Sequence, residues 1–319
     1  MSQKQTVFKS FFSLIRLQNL LFIVLTQYCF YFLVVHSTYT KQSAVLVLSI
    51  SYLHWLVLAS VSIAAAGYVI NDYFDLNIDR INKPQKLVID RFISRRWAMF
   101  LHLILSLVGL LISGWLSYQL HNPFLLAFNM LTVFLLFVYS STFKKKLLSG
   151  NVIISALTAW VILVMFVAAF QWQQGEWFPD WTHQLNTIYK LSLVYGGFAF
   201  IVSLIREVVK DMEDEIGDQK NGCKTMPIVW GLKTTKVFVG VWMLVLAGIL
   251  LALMVNMIII GWLIGVFYIG LILLPYFYGI FKRFRKDKTT QDFAARSRQI
   301  KIFMLMGILS MLIFHYYNR

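Results

Sequence analysis

Two stretches of the chain each carry three aspartates at positions i, i+3 and i+7. These aspartates are Asp72, Asp75 and Asp79 in the first motif and Asp211, Asp214 and Asp218 in the second motif. On an α-helix, this spacing places the three carboxylates of a motif on one stripe about 60° wide. Like charges held this close repel each other, and the repulsion is relieved when cations lie between them. Each motif therefore predicts a cluster of cation ligands.

Mg²⁺ is the cation that suits such a cluster best. It prefers oxygen ligands, keeps several waters, and usually shares a few carboxylates with substrate phosphates. A single charged stretch after an apolar run is commonly only a solvated loop, but the repeated spacing, with aspartate at every position, favours one joint site. We expect the two motifs to face each other and to hold two Mg²⁺ ions. Glu213 and Glu215 fall off the stripe, and we expect them to be solvated.

The chemistry that needs this arrangement is the departure of a diphosphate. Divalent ions held by opposed carboxylates would stabilise the charge that builds as the C–O bond breaks. If the rest of the substrate is an allylic isoprenoid, ionisation leaves a carbocation, which an apolar pocket shields from water and aromatic rings can stabilise. Basic residues near the motifs are candidates for contacts with the phosphates, namely Arg80, Lys144, Arg206 and Lys210.

The elements that must position the motifs are long apolar runs. The sequence is 59% hydrophobic and 13% charged, whereas soluble domains are about 25% charged, so an ordinary soluble domain is excluded. A bilayer-spanning helix needs about 20 apolar residues. Nine such runs are predicted, with a tight hairpin around Asn256–Gly261, at Leu17–Val35, Ala44–Ile70, Trp97–Tyr118, Phe124–Ser140, Val152–Phe170, Leu191–Val209, Val237–Val255, Met257–Ile280 and Ile300–Tyr317. We therefore predict an all-α integral membrane bundle and a single domain over residues 1–319, with the motifs in loops after the second and sixth runs.

The charge distribution predicts the orientation of the bundle. With nine spans, every basic residue except Lys41, Lys190 and Arg319 lies on the same side of the membrane as the N-terminus, including Lys4, Lys9 and Lys83. By the positive-inside rule, the N-terminus and both motifs are cytoplasmic and the C-terminus is outside. The formal net charge of +15 is thereby explained by the lipid bilayer, and we expect no nucleic-acid partner.

The residues themselves resemble a known family. Asn71-Asp72-x-x-Asp75-x-x-x-Asp79 and Asp211-x-x-Asp214-x-x-x-Asp218 look like the two signature motifs of the UbiA-type intramembrane prenyltransferases, and the similarity covers essentially the whole chain. Arg16…Asn19 and Tyr139…Lys144…Gly150-Asn151 are similar as well. The resemblance implies nine helices, Mg²⁺, a prenyl diphosphate donor and a lipophilic or amphiphilic acceptor. It also implies that the six aspartates hold the ions, that Asn71 orders the first cluster, and that Asn19, Tyr139 and Asn151 belong to the substrate site.

The resemblance also bears on the identity of the acceptor. The stretch from Arg206 to Asp218 most resembles the branch that alkylates geranylgeranylglyceryl phosphate at a hydroxyl, which implies a donor of geranylgeranyl length. Prenylation of an aromatic quinone precursor stays open, as do the chlorophyll and haem branches.

A cation-coupled transporter would place its acids near the bilayer midplane, whereas here they follow the apolar runs. The Asp-Gly-x-x-Ala-Arg signature of CDP-alcohol phosphatidyltransferases is absent from the sequence.

Overall fold

The computed structural model describes residues 11–40, 48–82, 84–170 and 182–319, which form a bundle of α-helices. Lys4, Lys9, Lys41 and Lys83, which contribute to the charge pattern, lie outside the described residues. Within these ranges, nine helices are long and apolar enough to cross a membrane: α1 (Leu17–Thr40), α2 (Ile50–Asn82), α3 (Arg95–Gln119), α4 (Pro123–Ser141), α5 (Ser149–Ala169), α6 (His183–Lys220), α7 (Met226–Ile259), α8 (Leu263–Phe284) and α9 (Thr290–Asn318). The predicted all-α membrane architecture and the number of spans are confirmed.

The two helices that carry the aspartate motifs, α2 and α6, are much longer than a membrane requires. They contain 33 and 38 residues, which correspond to about 50 and 57 Å of helix against a hydrocarbon core of about 30 Å. Their C-terminal parts carry the two aspartate motifs, so the prediction that the motifs lie in loops is wrong. The polar residues continue the helices because the breaking residues come later, at Pro84 after α2 and at Gly222, with φ 70°, after α6.

The turn between α7 and α8 is as short as predicted. It consists of the three residues between Ile259 and Leu263, and Gly261 adopts φ 77° within it. A side chain at this φ would be strained, which is why glycine suits the position.

The packing of the long helices brings the two motifs together. α2 packs against α3, α6 packs against α5 and α9, and α2 and α6 touch each other. At their C-terminal ends, a Cβ atom at Gly217 would lie only 2.3 Å from the side-chain oxygen of Asn82. The Asn82 side-chain amide donates a hydrogen bond of 3.0 Å to the backbone carbonyl of Asp214. This contact joins the last residue of α2, three positions after the first motif, to the middle of the second motif.

The opposite end of the bundle is closed by an apolar core. Its fully buried side chains come from the later half of α1, the beginning of α2 and the end of α5, and include Phe30, Leu53, Leu56 and Met165. The aspartate motifs lie at the other ends of α2 and α6, away from this core.

Candidate active site

A cavity of about 1160 Å³ extends from the aspartate motifs into the bundle. Its volume is slightly above the range of roughly 300–1,000 Å³ that is usual for sites that bind small molecules. The wall combines acidic and basic groups with apolar side chains such as Ile63, Leu136 and Leu157. Ten of the predicted site residues lie on this wall: Asn19, Asn71, Asp72, Asp75, Asp79, Tyr139, Lys144, Arg206, Lys210 and Asp214.

Four predicted site residues are not part of the wall. Asn151 donates a hydrogen bond of 2.8 Å to the carboxylate of Asp211, and Asp218 is buried. Arg80 is absent from the cavity lining and pairs with Asp90 at 3.2 Å, with more than a third of each side chain exposed. The structure therefore does not bring Arg80 to the cavity, because its guanidinium pairs with this exposed aspartate instead.

Asp75 is the most buried of the aspartates on the wall. It is 3% exposed, and its Oδ2 atom accepts hydrogen bonds from Asn71, at 2.7 Å, and from the Lys144 ammonium. Its Oδ1 atom is buried and has no hydrogen-bond partner. A buried carboxylate oxygen without a partner is costly. Because Asp75 lines the cavity, a cation bound there could relieve this cost by taking Oδ1 as a ligand.

Lys144 reaches Asp75 from the connection between α4 and α5. A 3₁₀ turn, Phe143–Lys145, carries it, and the turn packs against the start of α5 so closely that a Cβ atom at Gly150 would lie 2.6 Å from the carbonyl oxygen of Phe143. Burial alone would lower the pKa of the Lys144 ammonium, but the neighbouring Asp75 carboxylate raises that pKa above its ordinary value. The lysine is therefore charged at physiological pH.

Arg16 forms the corresponding pair with the first aspartate, although sequence reasoning gave it no role of its own. Its guanidinium lies 2.6 Å from the Asp72 carboxylate and 5.2 Å from the centre of the Tyr68 ring. Burial lowers the pKa of Arg16, and the Asp72 carboxylate more than offsets this and raises it. The residue directly precedes α1 and adopts φ 51°, an unfavourable conformation for a residue with a side chain. The ion pair and the stacking hold it there.

Sequence reasoning also missed an acidic residue within the sixth apolar run. Glu207 lies on the cavity wall and pairs with Arg206 at 2.9 Å and with Lys210 at 3.2 Å. Its signal in the sequence is an acid three residues before a lysine, a spacing that pairs side chains on a helix. Glu213, which lies off the aspartate stripe, is half-buried and lies on the wall too. The face of α6 toward the cavity is wider than the aspartate stripe.

The residues fit a divalent cation that arrives with a phosphate ligand. Within the described ranges, no group of three His, Cys, Asp or Glu side chains could hold a metal ion without further ligands. Among the described residues, the wall carries no His or Cys, and it offers carboxylate oxygens that include the unpartnered Oδ1 of Asp75. Mg²⁺ commonly takes one or two carboxylates and completes its shell with water and substrate phosphate oxygens. The donor set therefore suits Mg²⁺ bound jointly with a diphosphate.

Comparison with known proteins identifies the family. Residues 42–307 match the model of the UbiA prenyltransferase family. A digeranylgeranylglyceryl phosphate synthase from Sulfurisphaera tokodaii is 32% identical over 71% of this chain and 72% of its own length. Proteins of the same name from Korarchaeum cryptofilum and Methanospirillum hungatei are each 30% identical and cover 78% and 82% of this chain, and 80% and 84% of their own lengths.

Solved structures show the same fold. A digeranylgeranylglyceryl phosphate synthase superimposes with a TM-score of 0.66 at 24% identity and covers 98% of this chain and 99% of its own. A UbiA homolog from Archaeoglobus fulgidus, bound to GPP and Mg²⁺, gives a TM-score of 0.59 at 15% identity, covering 95% and 99%. The resemblance drawn from the aspartate motifs is thus confirmed, and the chain belongs to the UbiA prenyltransferase family, as an integral membrane enzyme that transfers prenyl groups.

Proposed function

We propose that this enzyme transfers a prenyl group of geranylgeranyl length from its diphosphate to geranylgeranylglyceryl phosphate. The observation that carries the proposal is that carboxylates of both motifs, represented by Asp75 and Asp214, line one cavity whose deeper wall is apolar. A single ligand can then bind with its diphosphate at the aspartates and its chain among the helices. The relatives named digeranylgeranylglyceryl phosphate synthase support this acceptor.

The donor and the metal are part of the same proposal. A homolog with this fold is bound to DMAPP and Mg²⁺, and to GPP and Mg²⁺, which supports a prenyl diphosphate and a divalent ion here. Bound Mg²⁺ would neutralise the diphosphate and make it a better leaving group. We propose two ions, with Asp72, Asp75, Asp79 and Asp214 as the ligands already on the wall. The roles of Asp211 and Asp218 as ligands stay a prediction.

The side chains of the enzyme would act on two parts of the reaction, the diphosphate and the prenyl cation. Cations such as Lys144 and Lys210 attract the diphosphate, and Tyr139 and Trp160 place aromatic rings on the wall, where they can stabilise a carbocation. The bond between C1 of the prenyl chain and the diphosphate oxygen breaks. A new bond forms between C1 and the acceptor hydroxyl oxygen, the hydroxyl proton is released to solvent, and diphosphate leaves as the second product.

The orientation in the membrane belongs to the proposal as well. The basic residues that flank the spans favour a cytoplasmic N-terminus, cytoplasmic motifs and an external C-terminus. A single domain over residues 1–319 is consistent with a cavity lined by residues from Phe12 to Met311. An aromatic quinone precursor as acceptor would use the same donor site and differ only in the attacking atom.

The proposal is tested with purified enzyme and labelled geranylgeranyl diphosphate. Asp72→Ala and Asp214→Ala each remove a carboxylate from the wall and should reduce Mg²⁺-dependent diphosphate release by several orders of magnitude. Glu215→Gln is the matched control, because Glu215 is an acid on α6 that is not part of the cavity wall, and it should retain wild-type activity. Products formed with candidate acceptors are identified by mass spectrometry. Unchanged turnover in both aspartate variants would overturn the proposal.

A further inference from the structure

The cations on the cavity wall fall into two groups. Four of them pair with carboxylates within 4 Å, and these are Arg16, Lys144, Arg206 and Lys210. The remaining two, Arg298 and Lys301, pair with no carboxylate among the described residues. They are three positions apart on α9 and therefore share one face of that helix. Among the described residues, this pair of wall cations has no carboxylate within ion-pair distance.

The neighbours of this pair leave its charge available. The Lys301 ammonium donates to the side-chain oxygen of Asn19 at 2.7 Å and lies 5.2 Å from the centre of the Phe22 ring. Arg298 is exposed and donates through Nε to the carbonyl oxygen of Ala294 at 3.4 Å, so its terminal nitrogens are open to a ligand. An amide oxygen and a ring orient the lysine but carry no negative charge. A phosphate would complete the site with charge-assisted hydrogen bonds.

An apolar groove begins at the same two cations. A smaller cavity of about 430 Å³ lies between α1 and α9, with Leu21, Ile302 and Leu305 on its walls. Arg298, Lys301 and Phe22 line both this groove and the large cavity. Arg298 and Lys301 therefore lie where the apolar groove meets the large cavity. This combination matches an amphiphile with an anionic head and a hydrocarbon tail.

We infer that Arg298 and Lys301 bind the phosphate of the acceptor lipid, with its hydrocarbon chain in the groove between α1 and α9. The inference rests on the proposed function and assigns specificity for a phosphate-bearing acceptor to two residues. The two substrates are both anionic, but they then bind to different groups on the cavity wall. The diphosphate goes to the aspartates and their metal ions, while the acceptor phosphate goes to cations without carboxylate partners. This places the acceptor hydroxyl between the two sites.

The test compares two acceptors that differ only in the phosphate. The full-length enzyme is placed in phosphatidylcholine nanodiscs with saturating geranylgeranyl diphosphate and Mg²⁺. It is then supplied with a prenylglyceryl phosphate or with the prenylglycerol that lacks the phosphate. In Arg298→Gln/Lys301→Gln, the KM for the phosphorylated acceptor should rise about 10- to 100-fold, since each charge-assisted bond contributes strongly. The KM for the prenylglycerol should not change. Lys286→Gln, an exposed cation outside the cavity, should alter neither.

A binding measurement without donor separates this inference from the proposed function. Native mass spectrometry of wild-type enzyme with the prenylglyceryl phosphate should show a complex that the double variant loses and that phosphatidylglycerol does not displace. If wild-type enzyme binds this lipid but transfers nothing to it, the proposed function fails and the phosphate site stands. Equal KM changes for both acceptors, unchanged KM values for both, or displacement by phosphatidylglycerol would overturn the inference.

Discussion

The contact between the ends of α2 and α6 can be tested by adding one methyl group. In Gly217→Ala, the new Cβ atom would lie 2.3, 2.4 and 2.5 Å from Oδ1, Cγ and Nδ2 of Asn82. An ordinary contact begins near 3.4 Å, so Asn82 or the helix must move by about 1 Å. The hydrogen bond from Asn82 to the Asp214 carbonyl is then lost. A displacement of this size between reacting groups costs about 100-fold in rate.

The expected cost in stability can be estimated in the same way. Overpacking costs about 1–3 kcal/mol, and the lost hydrogen bond contributes about 1 kcal/mol. We therefore expect Gly217→Ala to lower the thermal midpoint in detergent and to reduce kcat/KM about 100-fold. Gly197→Ala is the matched control, because Gly197 lies on the same helix with nothing within 4 Å of an added Cβ atom, and alanine favours a helix.

A double-mutant cycle shows whether the clash with Asn82 is the cause. Asn82→Ala alone loses only the hydrogen bond, and in combination with Gly217→Ala it also makes room for the new methyl group. The double variant should therefore be more stable than the sum of the two single effects implies. Additive effects, or a Gly217→Ala enzyme as active as Gly197→Ala, would refute the reasoning.

Two further predictions concern the turn that carries Lys144. Lys144→Met leaves the Asp75 carboxylate buried without its cation and should cost about 2 kcal/mol. This is less than the roughly 3–5 kcal/mol for a fully buried pair, because the Lys144 side chain is 31% exposed. Since the folded-state pKa of Lys144 is raised, its contribution is complete below the ordinary lysine pKa of about 10.4 and is lost only above it. The loss in thermal stability should thus be the same at about pH 7 and 9, and a loss that fades over this interval would contradict the assignment. In Gly150→Ala, the new methyl group pushes against the Phe143 carbonyl oxygen, and kcat should fall about 10-fold or more. Gly279→Ala is the control, because nothing lies within 4 Å of its added Cβ atom, and its kcat should not change. Equal kcat values in the two variants would contradict the role of the close packing at Gly150.

The spacing of the aspartates and the length of the apolar runs were sufficient to predict the spans and most of the cavity wall. Hydropathy reports where a helix leaves the membrane, not where it ends, so the helical continuation of α2 to Asn82 and of α6 to Lys220 was assigned to loops. The motif residues nevertheless keep helical spacing through these stretches. The periodicity of a polar segment was the better guide to its structure here.

The hydrogen-bond partners of several site residues could not be read from the sequence because they are distant along the chain. Arg16 reaches Asp72 over 56 positions, and Lys301 reaches Asn19 over 282 positions. Their positions depend on how α1 and α9 pack beside the long helices, which no local pattern encodes. Glu207 was within reach of sequence reasoning, since its spacing to Lys210 was visible, but it lies inside an apolar run.

The central claim is that both aspartate motifs bind one Mg²⁺-diphosphate ligand. Its most direct test is equilibrium binding of a non-reactive prenyl thiodiphosphate by calorimetry, with and without Mg²⁺, to wild-type enzyme, Asp75→Asn, Asp214→Asn and the control Glu215→Gln. We expect Mg²⁺-dependent binding in wild type and Glu215→Gln, and loss of that dependence in either aspartate variant alone. Full Mg²⁺-dependent binding in Asp75→Asn or in Asp214→Asn would contradict the account.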